Sequence, residues 1–418
     1  MTRTHIIGAG LAGLAAALSC AEAGHRVTLY EAGPAAGGRC RSYDDRALGC
    51  RIDNGNHLLL SGNDAAMAFL DQIGARSTLG GPDVALFPFL DLTTGARWTV
   101  RPSAGRLPWW LLQPSRRVPG ARLADYLALG KLLRARPDAT VAQVLGHSGA
   151  LYRRLLEPLA VSALNTAPDI ASAQLMAAIV RQTLMQGGAA CIPRFPRIGL
   201  SESFVDPALA WLGARGGEVL TGRRVAALRI EADRVAALEM AEGSVAISPG
   251  DNVILAVPAP VAATLLPTLM VPDAFEPIVN VHYRTEAAPS ADVARAGFAG
   301  LVGGTAEWVF LKPGIVSVTV SAARRLVDEP ADAIAATIWP EVQRAAGCRG
   351  DMPPVRVVKE RRATFAATPA QERRRPGART GLRHFAVAGD WTATGLPATI
   401  EGAIRSGRAA AAIVLAPH

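Results

Sequence analysis

The sequence predicts an α/β protein: a Rossmann-like dinucleotide-binding domain assembled from separated stretches, with an inserted α+β substrate domain. Three observations predict it. Near the N-terminus an apolar run, His5-Ile6-Ile7, meets the glycine turn Gly8-Ala9-Gly10-Leu11-Ala12-Gly13 and then an alanine-rich helical stretch over 14–23. A second strand-like run, 27–30, ends in an acid, Glu31. Close to the C-terminus another apolar strand closes on Gly389-Asp390 and leads into a last helix. Between the two ends the strand–helix alternation breaks, as an insertion would require.

Each part of the first unit has a task. Gly8 makes the tight turn, Gly10 lets the backbone approach a pyrophosphate, and Gly13 lets helix and sheet pack closely. Leu11 and Ala12 open the helix, whose free N–H groups and positive dipole end suit phosphate. Glu31, with Ala32 beside it, is placed to accept hydrogen bonds from an adenosine ribose. Residues 51–60 read as a further strand and 64–73 as a helix. From there to about residue 213 proline and arginine increase, and helical periodicity marks 122–135, 151–164 and 171–185. Strands return at 225–230, 235–238 and 252–257, the last ending at Pro258, and a strand pair is expected at 307–311 and 316–321. The charged, proline-containing segment 366–379 is expected to be an exposed loop. These patterns assign 1–76, 218–264 and 383–418 to the dinucleotide-binding domain. Residues 77–217 and 265–382 fall to the substrate- and membrane-facing domain.

Composition narrows the partners. The 418 residues carry a formal charge of +9, nearly all from arginine, since Lys131, Lys312 and Lys359 are the only lysines. A basic balance suits nucleic acid, anionic lipid or acidic ligands. No basic patch interleaved with aromatics is present, so nucleic acid is not expected. The five cysteines (Cys20, Cys40, Cys50, Cys191, Cys348) are scattered without CxxC spacing, which argues for reduced thiols in the cytosol and against a metal site. The first strand begins by residue 5, leaving no room for a secretory signal. No run reaches the roughly 18 apolar residues needed to span a bilayer.

The second glycine pair separates cofactors. Gly37-Gly38-Arg39, six residues after Glu31, resembles the extension found in flavoproteins of the amine oxidase and carotenoid desaturase superfamily. That resemblance implies FAD, with Gly38 against the flavin and Arg39 beside the phosphates, unless Arg39 is a solvated loop charge. Gly389-Asp390 and Ala398-Thr399 at the last helix resemble the terminal flavin motif of the same superfamily. Asp390 would then meet the ribityl or pyrophosphate region, its alternative being a turn or cap aspartate. Glu401 reads as a first-turn carboxylate complementing the helix dipole. Val225 matches the position whose backbone meets adenine, although any buried strand valine looks the same. With no second glycine turn in a strand–helix context, one cofactor is held and an external electron donor is implied.

The segment from Asp53 to Asn63 has the shape of the D-x-G-x-H-x-x-x-x-G motif that carotenoid desaturase relatives place beside the flavin. It puts Gly55, Asn56 and His57 at the ring or ribityl chain, while Asn63 departs from the aromatic often found there. The stretch 157–166, with Pro193-Arg194 and the segment from Leu200 to Pro207, resembles the squalene-associated branch, the hydroxysqualene dehydroxylases. This similarity covers nearly the whole chain. It implies reductive removal of an allylic hydroxyl from a long-chain isoprenoid, with Leu164 and Asn165 lining the substrate. A hydroxide leaving group needs an acid or hydrogen-bond donor, for which His57 is the candidate; the alternative is a histidine satisfying a buried backbone group. Lys312 is similar to the flavin-facing lysine of amine oxidases, yet sits in a turn-like context. A carotenoid- or phytoene-type desaturase, an amine oxidase and a flavin-free isoprenoid carrier are the competing readings; Arg39 and Asp390 argue against the last. Leu107-Pro108-Trp109-Trp110-Leu111-Leu112 lies in a region, 101–136, with eight basic residues and one acid, Asp125. Tryptophan and leucine in basic surroundings suit peripheral contact with anionic lipid on the inner face of the plasma membrane; a core role for the tryptophans is the alternative.

Overall fold

The structure, a computed structural model, describes residues 2–416. Its N-terminal unit runs β1 (Arg3–Ile7), α1 (Leu11–Glu22) and β2 (Arg26–Tyr30). β1 pairs parallel with β2, from Arg3↔Arg26 to Ile7↔Tyr30. The chain then makes a hairpin, β3 (Ser42–Asp45) with β4 (Cys50–Asp53). Here the expected strand over 51–60 is corrected. Residues 54–58 leave extended pairing, and only β5 (Leu59–Leu60) resumes it. The break has a tertiary cause, because Gly55 and Asn56 are drawn onto a distant sheet described below. α2 (Asp64–Gln72) follows as expected, ending one residue earlier.

The parallel sheet is completed by strands far along the chain: β10 (Glu218–Leu220), β14 (Asn252–Leu255) and β20 (Phe385–Val387), in the order β10-β2-β1-β14-β20. Its central strands are covered on both faces, which is why they read as uninterrupted apolar runs. α12 (Ile400–Leu415) packs along α1, and the approach is close: a Cβ on Gly407 would lie 2.1 Å from Ala12 O. β11 (Val225–Glu231), β12 (Arg234–Met240) and β13 (Gly243–Ala246) form a separate antiparallel meander.

A seven-stranded sheet forms the other half. Its order is β19 (Val355–Phe365), β15 (Phe275–Tyr283), β18 (Ile315–Val320), β17 (Trp308–Lys312), β16 (Phe298–Val302), β7 (Phe87–Asp91) and β8 (Arg97–Val100). One face buries Val279, Val281, Val316 and Val318 under Ile334, Ile338 and Val342 of α10 (Ala331–Ala346). The other carries an aromatic layer: Phe89, Trp98, Phe298, Trp308 and Phe310. Against that layer lie Trp110, Tyr126, Leu151, Tyr152 and Leu155, supported by α3 (Ala128–Leu132), α4 (Val141–Leu145), α5 (Glu157–Leu164) and α6 (Ala173–Gln182). The helices expected over 122–135 and 151–164 are shorter. A 3-10 turn occupies Leu123–Leu127 and a π segment Tyr152–Leu156. Small links complete the fold: β9 (Pro193–Pro196) bridges β5 and β6 (Leu79–Gly80), while α8 (Ala259–Leu265) and α9 (Ala291–Ala296) are short.

Two expectations change on packing grounds. Residues 200–213, read as part of the insertion, pack on α1: Phe204, Val205, Ala208 and Leu212 share its core, and α7 (Asp206–Gly213) carries the last two. Segment 366–379 is no exposed loop. It contains α11 (Pro369–Glu372), buried Ala366 and Ala367, and Arg375, whose side chain is fully buried.

Candidate cofactor and substrate site

The glycine turn is built for close approach. Gly8 has φ +102°, a conformation L side chains rarely adopt, and a Cβ there would lie 2.4 Å from Ala256 O. Gly13 packs so that a Cβ would fall 1.9 Å from Gly8 O, whereas Gly10 faces open space. α1 begins at Leu11 without a side-chain cap, so the N–H groups of Ala12 and Gly13 in its first turn, unpartnered among the described residues, can meet an anion. The second glycine motif lies directly against the first: Gly37 N–H donates to Ala9 O at 2.8 Å, and a Cβ on Gly38 would touch Gly10 Cα at 3.4 Å. Glu31 braces this turn, its carboxylate accepting from Ala9 N–H (2.9 Å) and Gly33 N–H (2.8 Å). Each oxygen keeps a second lone pair for a ribose hydroxyl. Ala32 is exposed beside it, and Val225 is buried opposite Met240 at the start of β11.

Residues 351 positions apart meet here. Arg39 donates to Asp390 Oδ2 at 2.6 Å and to Ala363 O. Although ion-paired to Asp390, Arg39 keeps 41% of its side-chain surface open. Gly389 leads into Asp390 with its N–H held by Ser406 Oγ (2.9 Å). The loop after Asp390 is held by Arg375, which sequence reasoning missed. Its guanidinium donates to the carbonyls of Asp390, Trp391 and Thr392, to Thr394 Oγ1 and to Glu372. At the start of α12, Ala398 stands half-buried and Thr399 caps the helix by accepting from Gly402 N–H (3.0 Å). Glu401 does more than complement its own helix: it accepts from Ala65 and Ala66 N–H at the start of α2 and from Arg405.

The Asp53–His57 segment joins the two halves. Asn56 Nδ2 donates to Thr319 Oγ1 (3.0 Å), which donates to Asn280 Oδ1 (2.8 Å), and Gly55 abuts that Asn280 amide. Asp53 accepts from Ser42 Oγ and Leu200 N–H, and binds Lys312 Nζ at 2.5 Å. Lys312 also donates to Ile198 O, so its charge is spent on the protein. His57 is half-buried, with no hydrogen-bond partner among the described residues. Burial lowers its pKa to about 4, against the pull of Asp53 and with help from Arg39 and Lys312. At neutral pH it offers a hydrogen bond but no acidic proton.

Leu164 and Asn165 are corrected. Leu164 is buried in core, and Asn165 is a joint: it donates to Glu276 O and Thr364 Oγ1 and accepts from Ala322 N–H at 2.6 Å. Neither keeps surface for a ligand. The tryptophan pair splits: Trp109 is 63% exposed, while Trp110 is buried edge-on against Tyr126. Among the described residues no cluster of His, Cys, Asp or Glu is arranged to hold a metal ion.

The chain matches the flavin containing amine oxidoreductase family over residues 11–415. It is 48% identical over 418 residues to the hydroxysqualene dehydroxylase of Rhodopseudomonas palustris, spanning 100% of this chain and 99% of that one. To the hydroxysqualene dehydroxylase of Sinorhizobium fredii it is 47% identical over 411 residues, 98% of each chain. Among solved structures, putrescine oxidase bound to putrescine superposes with a TM-score of 0.71 at 17% identity, covering 100% of this chain and 99% of that one. At that identity the likeness is one of fold.

Proposed function

The chain belongs to the flavin-containing amine oxidoreductases and, within them, to the hydroxysqualene dehydroxylases, and we infer that it removes the hydroxyl of hydroxysqualene reductively, with FAD, to give squalene. One observation carries the cofactor side: Arg39 and Asp390 meet beside an uncapped helix N-terminus, with much of the arginine's side chain open. The residues fit FAD. Gly8, Gly10, Leu11, Ala12, Gly13, Gly38 and Arg39 would hold the phosphates, Glu31 the ribose, and Gly55, Asn56 and the α12 N-terminus the flavin end. When bound and reduced, FAD supplies a hydride to the allylic carbon. The chain's own part is to position the isoprenoid, exclude water and deliver a proton to the departing oxygen. The aromatic layer on the seven-stranded sheet supplies an apolar wall of the kind a long hydrocarbon requires. Identity at this level over the full length favours dehydroxylation over desaturation.

An external donor must reduce the flavin, because one dinucleotide site is present in the sequence. The isoprenoid arrives from a bilayer, and the exposed Leu107, Trp109, Leu112 and Leu127 amid arginines support docking on an anionic surface. No helix among the described residues is long and apolar enough to cross a membrane. The division of labour follows: 1–76, 218–264 and 383–418 bind FAD, joined by the packed segment 200–213, and the remainder faces isoprenoid and lipid. The test is product analysis. Protein loaded with FAD, photoreduced without oxygen and mixed with hydroxysqualene should yield squalene as the flavin reoxidises. Flavin that stays reduced, with no squalene formed, refutes the reading.

A further inference from the structure

A hydroxyl on a long hydrocarbon is recognised by a polar group set into an apolar wall. The seven-stranded sheet carries such a group. Val279, Val281, Val316, Val318 and Val309 lie in the core under α10, so alternation along the strands turns Asn280, Thr319 and Trp308 to the opposite face. That face holds the aromatic layer. Strand register sets one row across it: Asn280, Thr319, Trp308, Gly300, Phe89 and Trp98, each opposite the next. With neighbouring strands about 4.8 Å apart, the row runs on the order of 24 Å, polar at one end and aromatic along the rest.

The polar end touches the segment expected at the flavin. Asn56 Nδ2 donates to Thr319 Oγ1 at 3.0 Å, and a Cβ on Gly55 would fall 3.0 Å from Asn280 Nδ2. Hydrogen-bond direction then fixes each amide. The Asn56 backbone N–H can only donate, and it lies 3.5 Å from Asn280 Oδ1. The same oxygen accepts from Thr319 Oγ1 at 2.8 Å, which leaves the lone pairs of that hydroxyl for the Asn56 amide. Asn280 therefore turns its Nδ2 away from Thr319, and this NH2 donates to nothing among the described residues. Asn280 is 2% exposed, and a buried donor without an acceptor is costly. Nearby on the same face, His282 is paired with Ser317 at 2.7 Å and Lys312 with Asp53. The open donor is Asn280.

We propose that Asn280 is the specificity-determining residue that binds the hydroxyl of hydroxysqualene, its Nδ2 donating to the oxygen while the isoprenoid lies along Trp308 and Phe89. The assignment rests on the dehydroxylase reading above. It places the carbon that bears the oxygen beside Gly55 and Asn56, where that reading puts the flavin end. Squalene has lost the oxygen and leaves the buried NH2 unpaired, so product is held less tightly than substrate. Thr319 is a positioning residue: its hydroxyl holds Asn280 Oδ1 and so keeps Nδ2 turned to the ligand.

The experiment measures ligand affinity in oxidised, FAD-loaded protein, which carries no hydride and cannot turn over. Hydroxysqualene and squalene in detergent micelles are each titrated against the flavin absorbance spectrum. Wild type should bind the alcohol roughly tenfold or more tighter than the hydrocarbon, the scale of one buried hydrogen bond. Asn280→Leu should weaken hydroxysqualene by roughly that tenfold and leave squalene at or above its wild-type affinity. Thr319→Val should weaken the alcohol severalfold, and Thr319→Ser, which keeps the hydroxyl, should restore it. General damage to the pocket weakens both ligands alike, so the affinity ratio separates recognition from structure. If N280L does not fold, the two Thr319 variants decide. Equal affinities in wild type, a preference that survives N280L, or a T319V protein with full preference overturns the proposal alone. Wild type that binds neither ligand overturns the reaction reading and the proposal with it.

Discussion

Arg375 shows how much a single side chain contributes to this site without touching a ligand. Its guanidinium joins the carbonyls of residues 390–392, Thr394 and Glu372, and its face covers Phe365 at 4.8 Å. Replacing it with Met leaves several buried acceptors unpaired, so Arg375→Met should destabilise the apoprotein by about 3 kcal/mol. It should also weaken FAD binding by releasing Asp390. Arg373, two residues earlier and exposed, is the control. Urea unfolding and flavin titration check both, and identical behaviour of the two variants would sink the argument. Nothing local distinguishes Arg375 from its neighbours in the run Arg373-Arg374-Arg375. Burial is decided by what the rest of the chain folds over. Arg39 and Asp390, by contrast, were legible because each follows a glycine motif whose backbone geometry is local.

Elements were legible where one helix or strand sufficed to explain its own pattern. β1, α1 and β2 follow from apolar runs and a glycine turn, and α2 and α6 fall where periodicity put them. The region after β4 failed because Asn56 bonds Thr319, a partner that no window of sequence contains. Helix packing adds a test. Gly407 lets α12 lie against α1, and a Cβ there collides with Ala12 O. Gly407→Val should cost about 1–3 kcal/mol, the usual range for overpacking, and lower flavin content by shifting Thr399 away from the site. Ala409→Val, on the exposed side of α12, should change little. Thermal melts and the flavin-to-protein absorbance ratio decide; unchanged Gly407→Val protein would refute this account of the interface.

At the scale of the whole molecule, the Asp53–His57 segment links the cofactor-binding half to the seven-stranded sheet through Asn56 and Gly55, which is where the proposed function brings cofactor and substrate together. The membrane face we propose lies in the 101–136 region, where Trp109 and Leu127 are exposed and Trp110 is not. Trp109→Ser with Leu127→Ser should reduce co-sedimentation with anionic vesicles severalfold and leave unfolding unchanged. Binding equal to wild type would remove the docking proposal. What the sequence determined by itself was the dinucleotide site, its discontinuity and the family, because glycine turns, apolar runs and motif spacing are properties of short stretches. Only the tertiary structure decided that Asn165 is a joint and no substrate wall, that Trp110 is core, and that Lys312 is spent on Asp53. Those properties depend on burial and on partners hundreds of residues away, and burial is a sum over the whole fold.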